Sequence, residues 1–446
     1  MNLNAQKISY EYPLIKVLSF ANPITIENGE YFKQISNKTL NYSGASPAFD
    51  FLNMPLYDSE GNQIKTLNVT HGYPQQGVLD ELTGYYYTYI GFGQTVDNAY
   101  IKLAGITLPY NRTLGRLIKW HTTINGTFEY VGQIILLGLS HQNLSIYDDK
   151  LFVTGTNDYN IKSDNSLDTY KDLRCFLIPL SEFNFGNPVT DENVLAVPAI
   201  SEHFGTSYKG KTISIDYMFE KSPDYGDDGN SSYIKTGTGA QWVYGLVDDS
   251  HIFTSNGNNL YVYDVDLKKK KFISANKELS NNINLGNTNQ VYSTDKARIS
   301  SSPANIGTSV SFDQINANYL IKGRHVQSMT VRNNHLYVTM GGVNYAHSIE
   351  GVMAVKVIDL KTGMLIGELD VEDILQEYGA PIPANYNVYT GKDDDNNTYR
   401  TITNGQNMLV QELEDIYVSQ DESFIIIGYV ISSPKYFKID IKWVNI

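Results

Sequence analysis

The chain has 446 residues, with 34 Lys plus Arg against 48 Asp plus Glu, a formal net charge of −14, 34 Tyr, 17 Phe, 35 Gly and one Cys. The charge argues against a generic electrostatic grip on nucleic acid or anionic membrane, and the lone Cys175 rules out an intramolecular disulfide or a Cys-only metal site and reads as a small buried apolar filler. No segment reaches the roughly 18 uninterrupted apolar residues of a membrane span, and "MNLNAQKISYEYPLIKVLSF" lacks the basic, apolar and small-residue regions of a standard export signal, so no signal peptide is expected.

Tyr, Phe, Asn and Gly in these amounts favour strands and tight turns over helix. Residues 1–46 fit no repeating pattern and are expected to form an N-terminal attachment segment. "PAFDFLNMPLYDSEGNQIKTLNV" (47–69) reads as a strand, a polar turn and a second strand. The next stretch, "PQQGVLDELTGYYYTYIG" (74–91), alternates apolar and polar residues on both sides of an Asp turn, the pattern of an antiparallel hairpin. Four later stretches repeat its grammar: "HQNLSIYDDKLFVTGT" (141–156), "AQWVYGLVDDSHIFTSNG" (240–257), "VQSMTVRNNHLYVTMGG" (326–342) and "VQELEDIYVSQDESFIIIGYV" (410–430). A glutamine opens each one: Gln76, Gln142, Gln241, Gln327 and Gln411.

Two further strands follow four of these hairpins, as in "LGRLIKWHTTINGTFEYVGQI", "RCFLIPLSEFNFGNPVTDENVLAVPAI", "NNLYVYDVDLKKKKFI" and "GVMAVKVIDLKTGMLIGELDV". The repeating unit therefore has four strands. The fifth hairpin is followed by one strand, "KYFKIDIKWVNI", at the end of the sequence. Recurring four-stranded antiparallel units are the signature of an all-β fold, a β-propeller of about five four-stranded blades. Six is the alternative, if the 99 residues between Gln142 and Gln241 hide a further unit. N-terminal strands, with 47–69 as the candidate, are expected to close the last blade, because closure removes open sheet edges. The propeller domain then spans 47–446, with long polar loops at 201–238 and 274–320. In "DVEDILQEYG", Val371, Ile374, Leu375 and Tyr378 recur at helical spacing and predict one short amphipathic helix on the fourth unit.

The residues that open the hairpins are the candidates for ligand contact. Five glutamines, with His141 and with Arg324, His325 and Arg332 flanking the fourth hairpin, stand where the innermost strand of a blade begins or turns. The glutamines and histidines at these positions also suit locking neighbouring blades by hydrogen bonding, and Arg324 and Arg332 also suit a solvated surface. Tyr85, Tyr86, Tyr87 and Tyr89 occupy both faces of one strand, which suits either packing between blades or a sugar-binding surface. Asp393, Asp395 and Asn397 alternate like the start of a calcium loop, but Thr398 and Asn404 replace the glycine and the acid that complete one, so no metal site is assigned. None of the eight histidines forms HExxH, and GxSxG, a P-loop and a dinucleotide fingerprint are missing. No catalytic residue and no cofactor is expected.

The hairpins "PQQGVLDELTGYYYTYIG" and "HQNLSIYDDKLFVTGT", and the unit from "VQSMTVRNNHLYVTMGG" to "GVMAVKVIDLKTGMLIGEL", resemble the propeller platform of receptor-binding tail-fibre proteins of phages that infect Gram-positive bacteria, staphylococcal ones in particular. The resemblance runs over residues 66–446, in rhythm more than in identity. It implies a homotrimeric component of the virion tail, associated with other tail or baseplate proteins, that attaches to a cell-wall glycopolymer such as teichoic acid at the host cell surface. Two other classes share the pattern: a propeller hydrolase or lyase acting on cell-surface polysaccharide, and a structural tail component that binds only virion proteins.

Overall fold

A computed structural model describes residues 38–50, 74–91, 100–109, 114–122, 127–155, 160–161, 163, 167–168, 174–219, 242–246, 251–255, 260–275, 326–333, 335–340, 342–343, 354–359, 364–378, 384–385, 387–392, 398–403, 411–431 and 433–445. Over these residues the protein is all-β, with two short α-helices.

Strand β1 (Lys38–Asp50) comes first. The hairpin β2 (Pro74–Asp80) and β3 (Tyr85–Gly91) is followed by a small outlying hairpin, β4 (Tyr100–Leu103) and β5 (Ile106–Pro109), and then by β6 (Leu114–Thr122) and β7 (Phe128–Leu137). The second hairpin is β8 (Leu139–Tyr147) and β9 (Lys150–Gly155); a two-residue pair, β10 (Asn160–Ile161) and β11 (Leu167–Asp168), precedes β12 (Arg174–Pro179). Strand β13 (Val194–Ala196), helix α1 (Pro198–Phe204) and strand β14 (Lys211–Thr212) follow. The third unit is β15 (Trp242–Leu246), β16 (His251–Ser255), β17 (Leu260–Asp266) and β18 (Lys271–Ala275). The fourth is β19 (Val326–Arg332), β20 (His335–Met340), the short β21 (Gly342–Val343), β22 (Ala354–Asp359) and β23 (Met364–Asp370), capped by helix α2 (Val371–Tyr378). After the hairpin β24 (Asn387–Lys392) and β25 (Thr398–Thr403) come β26 (Gln411–Val418), β27 (Phe424–Ile431) and β28 (Ser433–Asn445).

All five expected hairpins form, because each pairs two period-2 strands through a turn suited to them. In the second, Asp148 and Asp149 both hold positive φ (45° and 60°), the conformation a two-residue turn demands, between the paired Tyr147 and Lys150. Asn333 does the same in the fourth, at φ 47° between the paired Arg332 and His335. The expected third and fourth strands also pair in order in the first, third and fourth units. Helix α2 lies where expected, with Val371, Ile374 and Leu375 buried.

Three expectations are corrected. Among the described residues the second sheet holds three strands, β12-β9-β8; the apolar run "VLA" that should complete it instead extends the first sheet as β13, parallel to β7 with Val194 beside Ile135. All three of its residues are buried there, so the free edge of β7 offers the run full burial and a ladder of hydrogen bonds. The last sheet gains the two-residue β21 beside β26 and, at its other edge, β1, paired antiparallel with β28 from Lys38 opposite Asn445 to Asp50 opposite Lys435. Strand β1 begins earlier than the 47–69 candidate, so residues 38–46 belong to this sheet rather than to a separate segment, and 51–69 lie outside the described residues. The loop expected over 201–238 is ordered in its first part, where the end of α1 and β14 fall; 220–238 and 276–320 lie outside the described residues.

The first strands of the five sheets are neighbours in a cycle: β2 lies beside β8, β8 beside β15, β15 beside β19, β19 beside β26, and β26 beside β2. Each also departs from regular register with the second strand of its hairpin, as between Gln76 and Pro74 or Asp415 and Leu413. Bulges add local twist, which strands crowded side by side need. Both faces of the last sheet are covered at β27, which reads as a continuous apolar run: Ile425, Ile426 and Ile427 are all fully buried. Each such side chain contributes about 1.5–3 kcal/mol of burial. Cys175 is buried and in no disulfide, as the sequence suggested.

Gly115 on β6 marks the tightest approach between strands. A Cβ there would lie 1.7 Å from the Tyr89 hydroxyl oxygen and 2.1 Å from Cζ. Tyr89 is fully buried, and its hydroxyl donates to the Leu139 carbonyl at 3.1 Å across to β8. The ring has no room to retreat, so Gly115→Ala should destabilise the protein by about 3 kcal/mol, the upper end of overpacking costs. A urea melt would register this as a lower midpoint, and an unchanged midpoint would contradict the packing described.

Candidate functional site

The inner hairpins have two ends. Glutamines stand at the start of the first strands, and turns stand at the far end. The bond from Tyr89 to Leu139 brings the starts of β2 and β8 together, since Tyr89 pairs with Gln76. The turns of the first, fourth and fifth hairpins meet at the other end: the Gln420 N–H donates to Glu81 Oε1 at 2.8 Å, and Asn333 Nδ2 donates to the Gln420 carbonyl at 3.3 Å.

At the glutamine end, Gln76 is 4% exposed and shares the face of Tyr89 that looks toward β8. Its Oε1 accepts no hydrogen bond from the described residues. Gln142, Gln327 and Gln411 lie on β8, β19 and β26, and His141 on β8, with side chains outside the described residues; Gln241, Arg324 and His325 lie outside them altogether. So do Asp393, Asp395 and Asn397. Three of the four tyrosines are core: Tyr86, Tyr87 and Tyr89 are buried and Tyr85 is half-buried.

At the turn end, Arg332 is spent on its neighbour. Its Nε donates to the Val418 carbonyl at 2.9 Å, and its guanidinium lies 5.5 Å from the centre of the Tyr417 ring. The sequence allowed this arginine a ligand contact or a solvated surface role; in the structure it reaches across to the fifth unit. The acid at the heart of this end is Glu422, in the β26–β27 turn. It accepts from His335 Nδ1 at 2.6 Å, the Tyr337 hydroxyl at 2.7 Å and Asn333 Nδ2 at 3.3 Å, all from the fourth unit. Burial pushes its pKa up, but the hydrogen bonds from His335, Tyr337 and Asn333 outweigh burial and hold it below the usual glutamate value. Glu81, in the first hairpin's turn, repeats the device by accepting from the Tyr417 hydroxyl and the Gln420 N–H of the fifth unit.

Between the two ends, where β26 meets β2, sits Asp415, fully buried. Tyr86 donates its hydroxyl to Oδ2 at 3.3 Å; the Tyr436 hydroxyl and the N–H groups of Gly77 and Ile416 face the same carboxylate. Burial raises the Asp415 pKa to about 7, against these donors, which lower it. Two glycines make the space. A Cβ on Gly77 would lie 2.1 Å from the Tyr86 hydroxyl oxygen, and one on Gly428 would lie 2.7 Å from the Asp415 Cβ. Asp415, Glu422 and Glu81 were not singled out from sequence. The one available signal was an acid inside an apolar strand, "ELEDIYV", opposite a glycine in "IIIGYV".

Chemically, Glu422 and Glu81 accept hydrogen bonds from neighbouring units, and Asp415 is fully buried. Among the described residues no three His, Cys, Asp or Glu side chains gather as a metal site.

No protein-family model matches the chain, and no curated protein matches it. Solved structures with loose similarity include the periplasmic gluconolactonase of Pseudomonas aeruginosa, at 10% identity and TM-score 0.28 over 83% of this chain and 88% of that one. The WD40 domain of Neurospora crassa Pan2 matches at 8% identity and TM-score 0.33, over 91% and 96%. An exo-β-1,3-galactanase of Phanerochaete chrysosporium matches at 8% identity and TM-score 0.33, over 90% of this chain and 64% of that one. Similarity this loose gives no ground for carrying an activity to this chain.

Proposed function

We propose that the chain is a five-bladed β-propeller, closed by β1 beside β28, that serves as a receptor-binding protein of a phage tail and attaches to a cell-wall glycopolymer such as teichoic acid. The observation that carries the fold is the cycle of first strands, β2-β8-β15-β19-β26 and back to β2, which is how the innermost strands of five radial sheets meet around an axis.

The attachment reading rests on the sequence repeat and its resemblance to the propeller platform of phage receptor-binding proteins. Four of the five first strands carry a glutamine near their start and Gln241 immediately precedes the remaining one. Amide groups suit the hydroxyl-rich repeat of a glycan, which offers donors and acceptors alike. On this reading the protein acts as a homotrimer in the virion tail, joined to other tail or baseplate proteins.

Retention on purified Gram-positive cell walls tests the proposal. The protein should sediment with intact walls and stay in solution with walls stripped of teichoic acid. Equal retention on both, or on neither, would overturn the receptor, and release of soluble fragments from the polymer would point to the hydrolase or lyase class instead.

A further inference from the structure

The first sheet carries a recess that plays no part in the links between sheets described above. Lys119, on β6, sits opposite Tyr87 on β3, and His121 sits opposite Tyr85. The Lys119 ammonium lies 3.7 Å from the centre of the Tyr85 ring, 5.6 Å from that of Phe185 and 5.9 Å from that of Tyr87. Phe185, from the segment after β12, packs on Tyr87 at 5.7 Å, and His121 meets the Tyr85 ring at 5.6 Å. Tyr87 forms the buried floor, while Lys119, Tyr85 and Phe185 are half-buried and His121 is exposed.

Three ring faces attract a cation but offer its N–H groups no lone pair in the manner of a carboxylate. Among the described residues, Lys119 makes no hydrogen bond and no ion pair within reach of its ammonium. The nearest acid acting on it, Asp80, is occupied by its own turn, accepting from the N–H groups of Leu82 at 3.1 Å and Thr83 at 3.4 Å and from the Thr83 hydroxyl. Burial lowers the Lys119 pKa and Asp80 only partly restores it, which is the mark of a charge short of a partner.

We propose that this recess binds an anionic sugar, with the negative group on the Lys119 ammonium and the apolar face of the ring against Tyr85 and Phe185. The shared chemistry is a charge next to a flat C–H face, whether that charge is a phosphate or a carboxylate. The inference deepens the attachment reading and rests on it for the identity of the polymer, but the recess is tested separately from it.

The test titrates the full chain by calorimetry with glucose 1-phosphate, glucuronate and neutral glucose. Either or both anionic sugars should bind, and glucose should bind at least about tenfold more weakly because the ammonium gains nothing from it. Lys119→Met should cost at least about tenfold in affinity, and Lys119→Arg should stay within about threefold, since a planar cation still pairs with the anion. Thermal melts of both variants establish that they are folded. No binding of either anionic sugar, equal binding of glucose, or unchanged affinity in Lys119→Met would overturn the proposal. Absence of sugar binding by the unaltered protein alongside its retention on walls would sink the recess alone and leave the attachment reading standing.

Discussion

Raising the pH from about 4 to about 8 should cost the protein up to about 4 kcal/mol through Asp415 alone, and Asp415→Asn should remove that cost. The carboxylate is fully buried between β26 and β2, and burial lifts its pKa from 3.8 to about 7. The folded protein therefore holds a proton that the unfolded chain has already released between those two values. Stability is fully present below the unfolded value and falls as pH rises, until the folded group itself ionises near 7. Asparagine has the shape of the protonated side chain and keeps an oxygen for the Tyr86 hydroxyl, and Gly77 and Gly428 leave no space for anything larger. Urea melts at about pH 5 and pH 8 for both proteins would decide the matter, since each pH unit from about 5 up to about 7 should separate them by about 1.4 kcal/mol, with little added above that. Parallel pH profiles would show that Asp415 ionises normally and that the junction is wetter than its packing indicates. Glu422 works with the opposite sign, because its lowered pKa gives stability that is lost as pH falls, so the comparison must be between variants and not across pH alone.

The second large effect is expected at Glu422 itself. Glu422→Ala should destabilise by about 3 kcal/mol, because it strips a buried hydroxyl and a histidine of their acceptor at once. Tyr337 is fully buried, and its hydroxyl donates to Glu422 at 2.7 Å; His335 sits 2.6 Å from the same oxygen. Tyr337→Phe, which removes the donor instead of stranding it, should cost only about 1 kcal/mol. The double variant should be milder than the sum of the two, because once the acceptor is gone the hydroxyl has nothing left to lose. Strict additivity in chemical denaturation would show that the link between the β19–β20 and β26–β27 turns contributes nothing as a unit.

Much of the architecture is legible in the amino-acid order. Alternation on either side of "DELTG", "DD" and "NN" specifies hairpins locally, since a one-residue slip would turn every buried side chain outward, and the turn residues tolerate the positive φ that the pairing needs. The helical spacing of Val371, Ile374 and Leu375 is local in the same sense, and so is the solitary cysteine. What tertiary structure alone decided is which edge each strand joins and which acid meets which donor. "VLA" carries no mark that sends it to β7 rather than to β12, because an apolar run gains the same burial on any free edge and the choice depends on which edge the chain can reach. Residues 38–46 fit no repeating pattern until β28 supplies their partner. Asp415, Glu422 and Lys119 are ordinary charged residues in sequence; they become notable only when Tyr86, Tyr337 or Tyr85 arrives from a strand tens or hundreds of residues away. Burial, and with it the energy of a charge, is a property of what surrounds a residue in space.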